Sequence, residues 1–224
     1  MLFRSLPLFG TLAFGMVLNP ACAAGADAAA CPGALHAAFA VSGDASVLPA
    51  TCRHIGPVAL GMGRQEVSAA LGPPDVVRTD AAHPGTVRVV YLYPRGLNAQ
   101  LAARPRPAGA FRYGELALRF RDGRVTNAMA YAPPGVAFPF DLLGDAAGAQ
   151  VGAVLQAIGG QPQWNASRDY VQFAAMPVGI DIDPATSRVI GLGVADSKQD
   201  LYTFGLPALR LTRDAHTGLV SGVH

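Results

Sequence analysis

Lysine is nearly missing from this 224-residue chain: Lys198 stands alone, and every other basic residue is arginine. The shortage accompanies abundant Ala, Gly and Pro, a combination that reads as GC-rich coding rather than a functional bias. Net charge is scarce as well, at +2 from 17 basic and 15 acidic residues. Nucleic-acid binding needs a basic surface that neutralises phosphate, so this balance argues against it. Cysteine is limited to Cys22, Cys31 and Cys52, with no C-x-x-C pair to mark a zinc site. No apolar run suits a membrane span, because the best, Leu6 to Leu18, is short and interrupted by Pro7 and glycines. The chain has no G-x-S-x-G, no H-E-x-x-H and no G-x-x-x-x-G-K-[ST]. Gly61-x-Gly63 fails as a nucleotide loop because Glu66 fills the third glycine position. No motif surrounds His36, His54, His83, His216 or His224. The expectation is a protein that is not an enzyme and carries no cofactor or metal.

What is present begins with a leader. In residues 1–23, Arg4 supplies an n-region charge, Leu6 to Leu18 an apolar h-region and Ala21-Cys22-Ala23 an A-x-A site. Cutting after Ala23 leaves 16 basic against 15 acidic residues. The implied location is periplasmic or secreted. The alternative is an outer-membrane lipoprotein anchored at Cys22, although Asn19-Pro20-Ala21 is a poor lipobox. In an exported chain the remaining pair, Cys31 and Cys52, reads as a disulfide; a metal site would need His36 and His54, without recognised ligand spacing. Pro32 suits a helix start, so Ala34 to Val41 is expected to be a short helix that the disulfide ties down. Apolar residues make up 51% of the chain, enough for a folded core.

The organising stretch runs from Gly61 to Asp75. Val67, Ala70 and Leu71 form one apolar stripe at helical spacing, Glu66 sits in the first turn, and Gly72-Pro73-Pro74 stops the helix. Similar spacing returns 87 residues later, from Gly148 to Pro162. Strand-like alternation follows each, in Val87–Tyr93 and Glu115–Ala128, then in Tyr170–Ala174 and Val178–Ile190. Asp122-Gly123 is a strong hairpin turn. Asp181-Ile-Asp183 has the look of a metal pair, but a solvated strand edge explains it better.

The residues Gly61, Met62, Glu66, Val67, Leu71, Gly72 and Pro74, followed by Phe120, Asp122, Gly123, Arg124 and Val125, resemble the SmpA/OmlA domain family of BamE-like outer-membrane assembly lipoproteins. The tandem arrangement is similar to that of the β-lactamase inhibitor proteins. The resemblance implies an α+β fold of two tandem units, each with short helices packed on a small antiparallel sheet. Unit 1 would span 24–131 and unit 2 132–196, with a C-terminal tail at 197–224. Within the tail, Tyr202 to Leu211 would pack back and Thr217 to His224 would fray.

It also implies a non-catalytic, protein-interaction module of the cell envelope, whose protein partner is unidentified. Tyr91, Tyr93, Arg95, Arg106, Trp164 and Tyr170 are the candidate contact residues, because aromatics and arginine dominate interface energetics. Trp164 would either cap the core edge or sit on a binding face. The basic insertion at 94–112 would be a solvated loop or a contact element for an acidic partner or anionic lipid. A small periplasmic ligand-binding protein or enzyme on the same scaffold is the alternative, and a pocket holding His54 or His83 beside an acid would favour it.

Overall fold

Alternating side chains in eight segments build one antiparallel sheet with two unequal faces. The computed structural model describes residues 20–41, 47–80, 83–97, 113–142, 148–174, 176–202, 211–213 and 220–223, with side chains between 30 and 201. Helix α1 (Pro20–Val41) is followed by a 3-10 turn (Ala50–Cys52), the short pair β1 (His54–Ile55) and β2 (Val58–Ala59), and helix α2 (Arg64–Leu71). Strands β3 (Val76–Thr79), β4 (Thr86–Tyr93), β5 (Gly114–Arg121) and β6 (Arg124–Tyr131) come next. Helix α3 (Val151–Ile158) leads into β7 (Pro162–Trp164), β8 (Tyr170–Phe173), β9 (Val178–Asp183) and β10 (Arg188–Ala195). Helix α4 (Lys198–Tyr202) and a hairpin of β11 (Leu211–Arg213) and β12 (Val220–Val223) complete the order.

The sheet runs β3-β4-β5-β6-β10-β9-β8-β7. The α+β class is therefore present, but the two halves contribute to one large sheet instead of each forming its own, with β1-β2 and β11-β12 as separate two-stranded pairs. Strands β6 and β10 pair directly, from Tyr131 opposite Gly191 to Asn127 opposite Ala195, and fuse the halves into one sheet. The halves also differ in build: β3 to β6 have 4, 8, 8 and 8 residues, and β7 to β10 have 3, 4, 6 and 8. The tandem-unit description is corrected accordingly.

On the core face lie Val87, Val89, Tyr91 and Tyr93 of β4, Leu116, Leu118 and Phe120 of β5, and Val178, Ile180 and Ile182 of β9. They share one apolar cluster with Leu35 of α1, Val67 of α2, and Val154 and Ile158 of α3. Each of α2 and α3 ends at a glycine with positive φ, 74° at Gly72 and 70° at Gly159, where any other residue would be strained. Each also starts from a glycine held to the opening of its half's last strand. Gly61 N donates to Val125 O at 2.7 Å and Gly148 N to Val189 O at 2.8 Å. Glu66 caps α2, its Oε2 accepting from Gly63 N at 2.6 Å.

Two terminal expectations change. Helix α1 extends well before Ala34, with Pro32 inside it, because the alanine-rich stretch ahead is a strong helix former. The expected cut after Ala23 falls within this helix; residues 1–19 and the Cys22 side chain lie outside the described residues. At the other end, β12 occupies part of the segment expected to fray, where it pairs with β11. Among the described residues no helix is long and apolar enough to cross a membrane.

Candidate functional site

The far face of the sheet carries a charged cleft at the β3–β4 end. Phe120 points into the core, so alternation turns its neighbours Arg119 and Arg121 to the far face, and register places Arg88 of β4 directly opposite Arg119. The β3–β4 turn closes through Asp80 N to Thr86 O at 3.0 Å and Thr86 N to His83 O at 3.0 Å. Asp122 N donates to Gly85 O at 3.2 Å, drawing the β5–β6 turn against this one. The remaining wall comes from α4. Ser197 Oγ accepts from Asp200 N at 3.1 Å and donates to Asp200 Oδ2 at 2.7 Å, while Asn127 Nδ2 donates to Asp200 O at 2.7 Å. These elements enclose about 390 Å³ lined by Asp80, His83, Thr86, Arg88, Arg119, Arg121, Gln199 and Asp200, with Pro84 and Asp122.

Two carboxylates organise the cations. Asp200 is 4% exposed; its Oδ1 accepts from Arg121 and lies 3.7 Å from Arg119 Nη1. Asp80 Oδ2 lies 3.2 Å from His83 Nδ1 and 3.5 Å from Arg88 Nη2. Burial, and next the facing Arg88, hold the Arg119 guanidinium below its ordinary pKa. Such a site can hold an anion by charge-assisted hydrogen bonds. Among the described residues, no three His, Cys, Asp or Glu side chains are grouped as a metal site.

The residues singled out from sequence do not converge on this cleft. Tyr91 and Tyr93 are buried on the core face, since they alternate in phase with Val87 and Val89, and are unavailable as contacts. Burial is the leading cause that raises both phenols, Tyr93 to about 12. Tyr93 packs edge-on against Phe138 and Phe140 at 5.3 and 5.4 Å. Arg95 stacks over Tyr91 at 5.2 Å and binds Asp75 at 2.6 Å. Trp164 lies on the edge strand β7, 37% exposed, with Arg168 over its ring at 5.7 Å. Arg106 and most of the 94–112 insertion lie outside the described residues. Cys31 and Cys52 are joined as a disulfide with Cα atoms 4.9 Å apart.

Tyr170 stands opposite Asp181 across β8 and β9, over a glycine-lined part of the far face. A Cβ on Gly179 would meet the Tyr170 hydroxyl at 2.1 Å, and one on Gly191 would meet Asp181 Oδ2 at 2.6 Å. Asp181 is thus no solvated edge residue: β9 is interior to the sheet, and Oδ2 is buried without a hydrogen-bond partner. Burial, and then Asp169, push this carboxyl up to about 7.

No family model matches the chain, and no curated protein matches it in sequence. Solved structures similar over part of it include two bacterial extracellular proteins. One is a cysteine-rich secretory protein from Staphylococcus aureus subsp. aureus Mu50, at 9% identity and TM-score 0.38, over 62% of this chain and 45% of that one. The other is an extracellular protein containing a SCP domain from Bacillus anthracis str. Ames, at 15% identity and TM-score 0.38, over 63% of this chain and 45% of that one. At that score neither carries an argument about function. With no family model matching and one sheet shared by both halves, the SmpA/OmlA resemblance and the BamE-like role it implied are not supported. The residues behind that resemblance are helix stops and turn formers, which many α+β chains require.

Proposed function

We propose that this is an exported, non-catalytic protein that binds a small ligand in the arginine cleft. The observation that carries this reading is His83 beside Asp80, at 3.2 Å, in a cleft floored by Arg88 and Arg119. Export is supported by the leader-like residues 1–23 and by the Cys31–Cys52 disulfide, a bond favoured in oxidising compartments. The volume suits a metabolite rather than a polymer. Native mass spectrometry of the tagged protein recovered from the envelope and secreted fractions tests the proposal. The expected result is one small adduct at unit stoichiometry that is lost on acid denaturation.

A second reading, the protein-interaction module, is favoured by the exposed Trp164–Arg168 stack on an edge strand. Its expected result is a stoichiometric protein captured by crosslinking in place of the adduct, with capture reduced at least about tenfold in Trp164→Ala, the size of an aromatic hot spot. Capture unchanged by that substitution would remove Trp164 from the contact surface.

A further inference from the structure

We infer that the cleft recognises an oxyanion, a carboxylate or phosphate group on the ligand, through Arg88 and Arg121. This deepens the binding reading above and rests on it. Arg88 and Arg119 are direct cross-strand partners, and like charges so placed are unfavourable in a sheet. An anion seated beside them relieves that repulsion. A guanidinium presents five N–H donors in a planar fork that matches carboxylate and phosphate oxygens. Arg88 uses one of them on Asp80, at a long 3.5 Å, and its Nε has no hydrogen-bond partner. Arg121 donates from Nη2 to Asp200 and is otherwise half exposed at the mouth.

The carboxylates inside the cleft are already engaged: Asp80 with His83 and Arg88, and Asp200 with Ser197, Arg119 and Arg121. Among the described residues lining the cleft, three arginines thus face one buried carboxylate, Asp200, and one half-buried carboxylate, Asp80. The third carboxylate, Asp122, lies exposed in its turn, where water screens it. The Arg88 Nε without a partner and the half-exposed Arg121 are the donors an incoming anion would meet. Thr86 and Gln199 supply neutral hydrogen-bonding groups for the rest of the ligand.

The test is an NMR titration of the full folded chain at fixed ionic strength, with sodium phosphate and with sodium succinate as separate probes and sodium chloride as control. Saturable shifts at the Gly85, Thr86 and Arg121 amides are expected for at least one probe; a phosphate response marks a phosphate ligand and a succinate response a carboxylate. Arg121→Gln should weaken that binding about tenfold or more, the usual loss for a charge-assisted bond. Because Arg121 also pairs with the buried Asp200, the variant's melting temperature should fall somewhat, so binding is read below the unfolding transition. Arg121→Lys, which keeps the charge, should recover part of both the affinity and the stability. Shifts no different from chloride for both probes would overturn the oxyanion assignment. If the envelope adduct is still found in that case, cleft binding stands and only the ligand class falls; if no adduct is found either, both fall.

Discussion

Raising the pH from 5 to 8 is expected to cost the wild-type fold about 3 kcal/mol that Asp181→Asn does not lose. The unfolded carboxyl ionises at its ordinary 3.8, whereas the folded one holds its proton to about 7. Between these values the folded chain keeps a proton that the unfolded chain has released, so stability falls as the pH climbs through that window. Above about 7 both forms are ionised and the full penalty is present. The cause is local: Asp181 Oδ2 is sealed against Gly191 with no hydrogen-bond donor, and Asp169 adds a like charge nearby. Asp169 itself is held below its ordinary value, first by the Ser167 hydroxyl and then by Asn165, so it stays ionised throughout the window. An asparagine amide there lacks part of its own hydrogen bonding, at about 1–3 kcal/mol, so the variant gains less in absolute stability than in flatness. Urea unfolding of both proteins at several pH values measures this directly. Parallel pH profiles would show that the carboxyl ionises normally.

Replacing Cys31 and Cys52 together by alanine is expected to lower stability by about 3 kcal/mol in the chain-entropy account of a crosslink. The bond closes a sequence separation of 21 residues and ties α1 to the turn that precedes β1. Both cysteines are buried, so the double substitution is a cleaner test than a reductant added to the folded protein. Helix α1 keeps other anchors in the variant: Phe39 against Phe173 at 5.3 Å, and Leu35 in the core. The expected outcome is therefore a folded protein with a lower denaturant midpoint and a dependence on denaturant that is equal or steeper, since the uncrosslinked denatured chain exposes more surface. An unaltered midpoint would mean that the crosslink contributes nothing to stability.

Local features were legible in the residues, and assembled ones were not. The Asp122-Gly123 turn, with φ of 50° and 78°, follows from its dipeptide, and the glycine stops after α2 and α3 follow from theirs. Strand β4 shows where that kind of reading runs out. Val87, Val89, Tyr91 and Tyr93 alternate with Val90 and Leu92, which are buried on the opposite face. Two apolar faces give no sign of which one receives the helices, and so the alternation alone does not reveal that Tyr91 and Tyr93 are buried. The cleft left a fainter trace, in the Arg119-Phe120-Arg121 alternation and in His83. Its assembly depends on Arg88 meeting Arg119 and on Asp200 arriving from 79 residues beyond Arg121, and no local pattern encodes those meetings. The burial of Asp181 is hidden for a related reason: its strand is interior only because β10 and β8 flank it.

The β6–β10 pairing also bears on how the protein comes apart. A chain severed between β6 and α3 yields two pieces, each ending its sheet on a raw strand whose natural complement is on the other piece. Neither break leaves the short or protected border that keeps a sheet from sticking to strangers. The fragments should therefore reassociate with each other in preference to persisting alone, which makes this joint a place to divide the molecule into a complementing pair.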